Sequence, residues 1–206
     1  MSEELQLNSL YLAGHRDFNH YTSSMLRGQP LNSKVLVDIQ FNGAELEGID
    51  FSQSDLSAAS MRGALLNGSN LNATGLSGAN LREAELRAVD LSDSNLEHCC
   101  LIGADLTVSN LTAADLTFAR LIGACLRAAN LSKACLHQAD LRGANLWGAN
   151  VQGANLQQAD LVATDLSETN LNEADVVGAV YGADTIFPRG FDPDAASMVR
   201  ENRPII

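Results

Sequence analysis

The amino-acid sequence predicts a stacked solenoid, and three features of one short repeat predict it. From Phe41 to Ile186 every fifth residue is apolar, without a single insertion. The position two residues before each apolar centre is nearly always Ala, Ser or Thr, and glycine recurs two residues after it, as at Gly43 and Gly123. A period of five fits neither a helix nor a flat strand. One large and one small inward residue per repeat describe a chain that turns a corner every five residues.

Composition agrees with a thin core of aliphatic side chains. The chain has 206 residues, of which 46% are hydrophobic, 18% charged and only 5% aromatic. Leu and Ala must therefore fill the interior, because aromatic rings are too few to supply its volume. The central leucines predicted to form this core include Leu81, Leu101, Leu116, Leu121, Leu141 and Leu161. Neither a secretory signal nor an apolar run of membrane-spanning length is present, so we expect a soluble, cytoplasmic protein.

The repeats resemble a known family. Phrases such as GANL, QADL, AADL and EADV match the A(D/N)LXX motif of pentapeptide-repeat proteins, and their register covers residues 39–188. The chain is similar to cyanobacterial members in particular. The resemblance implies an all-β solenoid, a right-handed quadrilateral parallel β-helix with four pentapeptides per coil. We expect short helical or loop caps at both of its ends.

The chain divides into three parts. Residues 1–36 are predicted to form an N-terminal cap, residues 37–188 the repeat and residues 189–206 a C-terminal cap. A helix is expected over about the first fourteen residues, with Ser2 as its N-cap, and residues 15–37 form either a degenerate coil or a loop. Asp192 followed by proline predicts a helix over 193–202. Its Met198 and Val199, with Phe187 and Phe191, are expected to cover the last coil.

The net charge of −12 is concentrated on the repeat, since both flanks are nearly balanced. Such a surface repels nucleic acid and anionic membranes, so we expect direct binding to neither. Asp and Asn exchange freely at the position before each centre. Both offer a side-chain oxygen to nearby turn backbone, which indicates that most of these Asp residues serve hydrogen bonding rather than charge.

Groups capable of catalysis or metal binding do not converge in this register. By position, Cys99 points inward, His98 lies at a corner and Cys100 on a face, so the three diverge. Cys135 and His137 share a face but lack an activating third group. We expect reduced structural thiols, no metal, no cofactor and no enzymatic activity.

The twenty-residue register defines outward faces. We call the face centred on Leu71, Leu91, Leu111, Leu131, Val151 and Leu171 the polar face, because Asn, Asp, Ser and Thr flank its centres. These side chains are predicted to form a hydrogen-bonding ladder. The Arg–Ile face is centred on Met61, Leu81, Leu101, Leu121, Leu141 and Leu161, and the tryptophan face, around the next corner, on Leu86, Leu106, Leu126 and Leu146.

Two of these faces form a candidate interaction surface. On the Arg–Ile face it comprises Arg82, Ile102, Arg120, Ile122, Arg142 and Val162, and on the tryptophan face Arg127 and Trp147. Isoleucines ringed by arginine, beside the single tryptophan, are typical of a partner surface. The alternative is that β-branched residues simply suit outward β positions.

The sequence favours a rigid scaffold for protein–protein interaction whose partner is an unidentified protein or a second copy of the chain. The alternative is a DNA-mimicking inhibitor or protector of DNA gyrase, as in the quinolone-resistance members of the family. The acidic charge and the rod shape favour that alternative. The predominance of Leu over Phe at the centres, and the arginines on one face, count against it.

Overall fold

Most of the chain forms a stack of coils. The structure is a computed structural model that describes residues 7–27 and 29–201. The residue before each apolar centre pairs in parallel with the residue twenty positions later, as in the ladder Ser60, Asn80, Cys100, Arg120, Asp140 and Asp160. Because the chain returns to the same side after twenty residues, each coil holds four five-residue repeats. The fourth face is centred on Leu76, Leu96, Leu116, Leu136 and Leu156.

Backbone hydrogen bonds join each coil to the coil before it and the coil after it. The Arg120 N–H donates to the Cys99 carbonyl at 2.9 Å, and the Leu121 N–H donates to the Asp140 carbonyl at 2.7 Å. This pairing is parallel and sheet-like. It repeats through the stack, so the main chain of an inner coil is bonded on both of its edges.

Regular helices and strands are short and lie near the ends. Within the described residues they are α1 (Leu7–Leu12), α2 (Ser23–Leu26), a 3₁₀ turn (Leu171–Glu173) and the parallel strands β1 (Val180–Tyr181) and β2 (Val199–Arg200). None of these helices has the length and apolar character that a membrane span requires. Elsewhere each side of a coil contributes one bridging residue in place of a strand, because the chain soon turns again.

The apolar centres stack inside the coils. Leu81, Leu101, Leu116, Leu121, Leu141 and Leu161 are each fully buried. The small residues two positions earlier, such as Ala119 and Ala139, are buried with them. Each buried leucine contributes about 1.5–3 kcal/mol relative to an exposed one. Stacked leucines are therefore the main apolar contribution to the stability of the rod.

Every regular corner contains a residue in the left-handed conformation. Glycine fills this position at Gly123, with φ 64°, as expected of a residue that the sequence repeats at corners. The same conformation occurs without glycine, at Ala113 (φ 56°), Val108 (φ 60°) and Phe118 (φ 59°). The corner N–H also bonds to the next coil, as from Phe118 to the His137 carbonyl at 3.1 Å. Pairing between coils therefore holds the corner whichever side chain it carries.

The Asp and Asn residues before the centres accept hydrogen bonds from their own turns. Asp115 Oδ1 accepts from the N–H of Thr117 at 3.0 Å, and Asn145 Oδ1 accepts from the N–H of Trp147 at 2.9 Å. The same contact recurs along all four faces. The predicted hydrogen-bonding role of these residues is confirmed.

The N-terminal end of the stack is covered by α1 and by the segment that follows it. The Phe18 N–H donates to the Gln40 carbonyl at 2.8 Å, and the Gln40 N–H donates to the Arg16 carbonyl at 2.7 Å. Among the described residues of 15–37, Asp17 bridges Gln40 and Val35 bridges Asp55 in parallel, and α2 lies between these two bridges. The helix predicted near the N-terminus is present as α1, and its predicted N-cap, Ser2, lies outside the described residues.

The helix predicted over residues 193–202 is wrong for the residues described. Asp192 does act as a cap, since its Oδ1 accepts from the N–H groups of Asp194 and Ala195 at 3.0 and 3.2 Å. The turn nevertheless ends at Ser197, which has a φ of 59°, and the chain continues as β2.

The chain takes this course because the last coil offers an open edge of backbone donors and acceptors. The Val199 N–H donates to the Ala179 carbonyl at 2.8 Å. Met198 is buried over the end of the core, where Phe187 and Phe191 also pack, as predicted. Val199 was expected to help cover this end, but its side chain is 51% exposed.

Candidate interaction surface

The Arg–Ile face carries an apolar strip. Ile102 and Ile122 stand one coil apart in the same column, and Val162 lies two coils farther along; all three are partly buried. The sequence predicted exposed isoleucines. Adjacent coils are only about 4.8 Å apart, so stacked neighbours cover part of each side chain. The strip is therefore flush with the surface rather than protruding from it.

Arg62 and Arg82 share one carboxylate. Glu83 lies 3.2 Å from the Arg62 guanidinium and 3.1 Å from that of Arg82. The hydrogen bond from Arg82, with that from Arg62, lowers the pKa of Glu83. Sequence reasoning missed Glu83, which occupies a corner where glycine is common. All three side chains are well exposed, so these pairs contribute little to stability.

Arg142 is held by two carboxylates. Its Nε and Nη2 donate to the Asp140 carboxylate at 2.8 and 2.6 Å, and Asp160 lies 3.5 Å from the Nε. Partial burial alone would raise the pKa of Asp140, but the hydrogen bonds and charge of Arg142 lower it. The same bond raises the pKa of Arg142. The guanidinium of Arg142 is therefore bound by one carboxylate of its own coil and one of the next coil.

Arg120 has no such partner. Its side chain is exposed, and it makes no ion pair or side-chain hydrogen bond within residues 7–27 and 29–201. Its column neighbours are Cys100 and Asp140, and Asp140 is already bound by Arg142. The four arginines of this face are thus unequal, and Arg120 is the one whose donors remain free.

The tryptophan face carries a stacked cation. The guanidinium carbon of Arg127 lies 4.8 Å from the centre of the Trp147 ring. Trp147 is 41% exposed although its aromatic surface is large. Arg87, two coils from Arg127 in the same column, lies 3.6 Å from the Asp105 carboxylate. The corner shared with the Arg–Ile face is glycine at Gly103 and Gly123, so no side chain separates the two faces there.

Sequence reasoning missed two apolar corner residues. Val108 is 61% exposed and Phe118 is 39% exposed, and both adopt the left-handed conformation. The Phe118 ring stacks on His98, with centroids 4.9 Å apart and an interplanar angle of 5°, and meets the edge of His137 at 6.4 Å. The available signal was a bulky residue at a repeat position otherwise occupied by glycine, alanine or polar residues.

Cys99 and Cys135 make separate structural contacts. Cys99 is fully buried, its Sγ donates to the Ala79 carbonyl at 3.1 Å, and burial raises its pKa. Cys135 Sγ lies 3.2 Å from Thr117 Oγ1. All four cysteines are free thiols. Among the residues that the structure describes, no three His, Cys, Asp or Glu side chains are placed to hold a metal ion.

The polar face contains the predicted ladder. Asn150 Nδ2 donates to Asn130 Oδ1 at 3.1 Å, and Asn170 Nδ2 donates to Asn150 Oδ1 at 2.9 Å. Nearer the N-terminus, Asn110 Nδ2 donates to Asp90 Oδ1 at 3.0 Å. Polar side chains of this face therefore bond from coil to coil, which confirms the predicted hydrogen-bonding ladder.

A groove lies beside the 3₁₀ turn near the C-terminal end, where Leu171, Val176 and Phe191 line it. One of the carboxylates that line it, that of Asp175, is engaged in structural bonds. Asp175 Oδ1 accepts from the Val177 N–H at 3.2 Å, and its Oδ2 accepts from Gln157 at 2.7 Å.

Comparison with known proteins identifies the repeat. The family model described as pentapeptide repeats matches in eight copies, over residues 35–72, 75–107, 109–148 and 148–180. The curated proteins compared with the chain include no match.

Solved structures of similar proteins also contain this repeat. HetL, a pentapeptide repeat protein involved in heterocyst differentiation regulation in the cyanobacterium Nostoc sp. strain PCC 7120, is 30% identical over 86% of this chain and 81% of its own, with a TM-score of 0.44. The protein alr5209 from Nostoc is 34% identical over 54% of this chain and 84% of its own, with a TM-score of 0.26. A trypsin-treated variant of QnrB1, a plasmid-mediated fluoroquinolone resistance protein, is 16% identical over 84% of each chain, with a TM-score of 0.58. The likeness to QnrB1 concerns the fold alone.

Proposed function

Because the chain belongs to the pentapeptide-repeat family, whose members form right-handed β-helices, we propose that it is a non-enzymatic, rigid scaffold that binds another protein. The proposed rod has a quadrilateral cross-section, and the partner meets it on the Arg–Ile and tryptophan faces.

Rigidity supports a scaffold role. Each inner coil is hydrogen-bonded to its neighbours on both sides, and its side chains stand in columns at a fixed spacing. A surface built in this way is already ordered before a partner arrives. Binding then avoids much of the entropy loss that ordering a flexible loop would cost.

The observation that carries the proposal is the contact of Arg127 with Trp147 beside the strip of Ile102 and Ile122. Trp and Arg are the residue types most enriched where partner binding energy is concentrated. Arg120, whose donors are free among the described residues, adds a charged contact at the other side of the strip. The polar face has no comparable group, because its amides bond to one another.

A gyrase inhibitor or protector is the second candidate. The fold likeness to QnrB1 and the net charge of −12 favour it. A DNA mimic requires continuous columns of carboxylates at phosphate-like spacing. Here the column Asp55, Gly75, Asn95, Asp115, Cys135, Asn155 and Asp175 is interrupted repeatedly, and turn N–H groups bind many of its oxygens. We therefore place the scaffold first.

Affinity capture from native lysate tests the proposal. The wild-type chain is compared with the Ile102→Ser/Ile122→Ser double variant and with Lys133→Glu, which changes a corner diagonally across the coil. We expect a partner that the wild type and Lys133→Glu retain and the double variant loses. Gyrase supercoiling is assayed in parallel. Capture of the same partner in equal amounts by all three proteins would contradict the scaffold assignment. Dose-dependent inhibition of gyrase supercoiling, equal for the wild type and the double variant, would also contradict it.

A further inference from the structure

Two strained apolar corners border the candidate surface. Val108 lies at the outer corner of the tryptophan face, and Phe118 lies at the outer corner of the Arg–Ile face. Both residues have φ near +60°, a conformation that bulky L-residues rarely adopt. Among the described residues with positive φ, they are the only large apolar side chains; the other corners use glycine, alanine or polar residues.

Their exposure makes the strain informative. Val108 and Phe118 are 61% and 39% exposed, so neither obtains its full burial energy from the rod itself. Phe118 is nevertheless held in place by the parallel stack on His98. Because inter-coil pairing holds every corner in this conformation, the distinguishing feature of these two is that large apolar side chains stay exposed there, which is typical of a binding surface.

We call the surface between these two corners, in the two coils that contain Ile102 and Ile122, the belt. Its outward positions are Cys100, Ile102, Asp105, Thr107, Arg120, Ile122, Cys125 and Arg127. The belt therefore has one carboxylate. Asp105 is engaged by the Thr107 hydroxyl at 2.5 Å and by Arg87 at 3.6 Å.

Within the described residues neither arginine of the belt forms an ion pair or hydrogen bond with a carboxylate, although the charge of Arg120 helps to lower the pKa of its column neighbour Asp140. Arg120 makes no ion pair there, and the contact of Arg127 is with the ring of Trp147. In a chain of net charge −12, these guanidinium groups stand beside apolar surface with their donors free. The complement of such a surface has apolar side chains and carboxylates together.

We propose that the belt binds an acidic, apolar segment of another protein. Apolar side chains of that segment cover Ile102 and Ile122, and its carboxylates bind Arg120 and Arg127. This inference rests on the proposed scaffold function and specifies the class of partner. The apolar strip selects a protein segment over other anions, because a bare polyanion would leave the strip exposed to water.

A labelled peptide tests this partner class. The probe is a short fluorescein-labelled peptide of glutamate and leucine in equal number, compared with a lysine–leucine peptide of the same length. Binding is followed by anisotropy and by the emission of Trp147, the only tryptophan. We expect saturable binding of the glutamate–leucine peptide, weakened about tenfold by Arg120→Glu and by Ile102→Ser/Ile122→Ser. Lys133→Glu, an equal charge change on the opposite corner, should leave binding unchanged.

The corner variants separate binding from folding. Val108→Gly removes both the strain and the apolar contact, so it should weaken peptide binding about threefold while the melting temperature rises. Ala113→Gly, at a left-handed corner outside the belt, should leave peptide binding unchanged. If Val108→Gly melts at a higher temperature and still binds the peptide more weakly, unfolding cannot be the cause of the weaker binding.

Four results would overturn the inference. The first is that the glutamate–leucine peptide does not bind saturably, and the second is that the lysine–leucine peptide binds with equal or higher affinity when Trp147 emission is followed. The third is that Arg120→Glu leaves the affinity for the glutamate–leucine peptide unchanged. The fourth is that the chain sediments as a dimer and that Ile102→Ser/Ile122→Ser dissociates this dimer. The last result would assign the belt to a second copy of the chain. If the peptide fails but lysate capture through Ile102 and Ile122 succeeds, the partner class is wrong and the scaffold function stands.

Discussion

Arg127 and Trp147 lie one coil apart in the same column, and the guanidinium carbon of the first is 4.8 Å from the ring centre of the second. A cation over an aromatic face is attracted by the quadrupole of the ring. The arrangement follows from the twenty-residue register, which places these side chains side by side. Since Trp147 is the single tryptophan, intrinsic tryptophan fluorescence reports the surroundings of this one ring.

Removal of the cation should expose the ring. Arg127→Ala is expected to increase quenching of Trp147 emission by acrylamide and to lower the free energy of unfolding by about 0.5–1 kcal/mol. Arg87→Ala, in the same column but two coils from Arg127, should leave the quenching of Trp147 emission by acrylamide unchanged. Identical quenching in the two variants would show that Arg127 does not cover the ring in solution.

The left-handed corner at Val108 should be relieved by glycine. Val108→Gly is expected to raise the free energy of unfolding by about 0.5–1 kcal/mol, because glycine adopts φ near +60° without steric cost. The matched control is Val177→Gly, at an exposed valine outside the left-handed region, which should lower it. Urea denaturation measures both, and a loss of stability in Val108→Gly would refute the strain.

The acidic residues of the repeat should act through their oxygen atoms rather than their charge. Asp115 Oδ1 accepts from the N–H of Thr117 at 3.0 Å and from its hydroxyl at 2.6 Å. Asp115→Asn keeps an acceptor and should be nearly neutral, whereas Asp115→Ala should cost about 1–2 kcal/mol. Thermal denaturation of the pair decides this, and equal losses in the two variants would mean that the negative charge itself stabilises the turn.

Asp140 should contribute to a dependence of stability on pH. The hydrogen bonds and charge of Arg142 outweigh partial burial and hold the pKa of Asp140 below its ordinary range. A carboxyl with a depressed pKa stabilises the fold above its unfolded pKa, and this contribution is lost as the pH falls through the folded value. Asp140→Asn should therefore be less stable than wild type near neutral pH.

The difference between these two proteins should shrink as the solution is acidified below about pH 4. Asp50→Asn is the control, because its oxygen also accepts from a turn N–H but it has no ion-pair partner among the described residues. Urea denaturation across the acid range provides the measurement. If the difference in free energy of unfolding between Asp140→Asn and wild type stays constant with pH, the ion pair of Asp140 with Arg142 does not lower the pKa of Asp140.

Sequence periodicity predicts the interior of this protein well. A strict period of five places Leu116 inward and Asp115 beside the turn, and both positions follow from the register without any knowledge of tertiary contacts. The reason is that every coil has the same backbone geometry and the same neighbours above and below it. Each position of the repeat therefore requires the same type of residue in every coil. The positive φ at the glycine corners is predictable for the same reason.

The outer surface and the C-terminal end are less predictable. The burial of Ile102 depends on its stacked neighbours, and the sharing of Glu83 by two arginines depends on side-chain reach. The left-handed corner at Phe118 is set by pairing with the next coil rather than by its own preference. Near the end, the cap at Asp192 was visible in the sequence, but the open edge that redirects the chain into β2 was not.

We propose that a protein partner meets the rod on the Arg–Ile and tryptophan faces. Hydroxyl-radical footprinting of the captured complex, read by mass spectrometry against the free chain, tests it most directly. We expect protection of Ile102, Ile122 and Trp147, with unchanged labelling of Val177 on the fourth face. Protection confined to the polar or fourth face, or none at the isoleucines and the tryptophan, would contradict it.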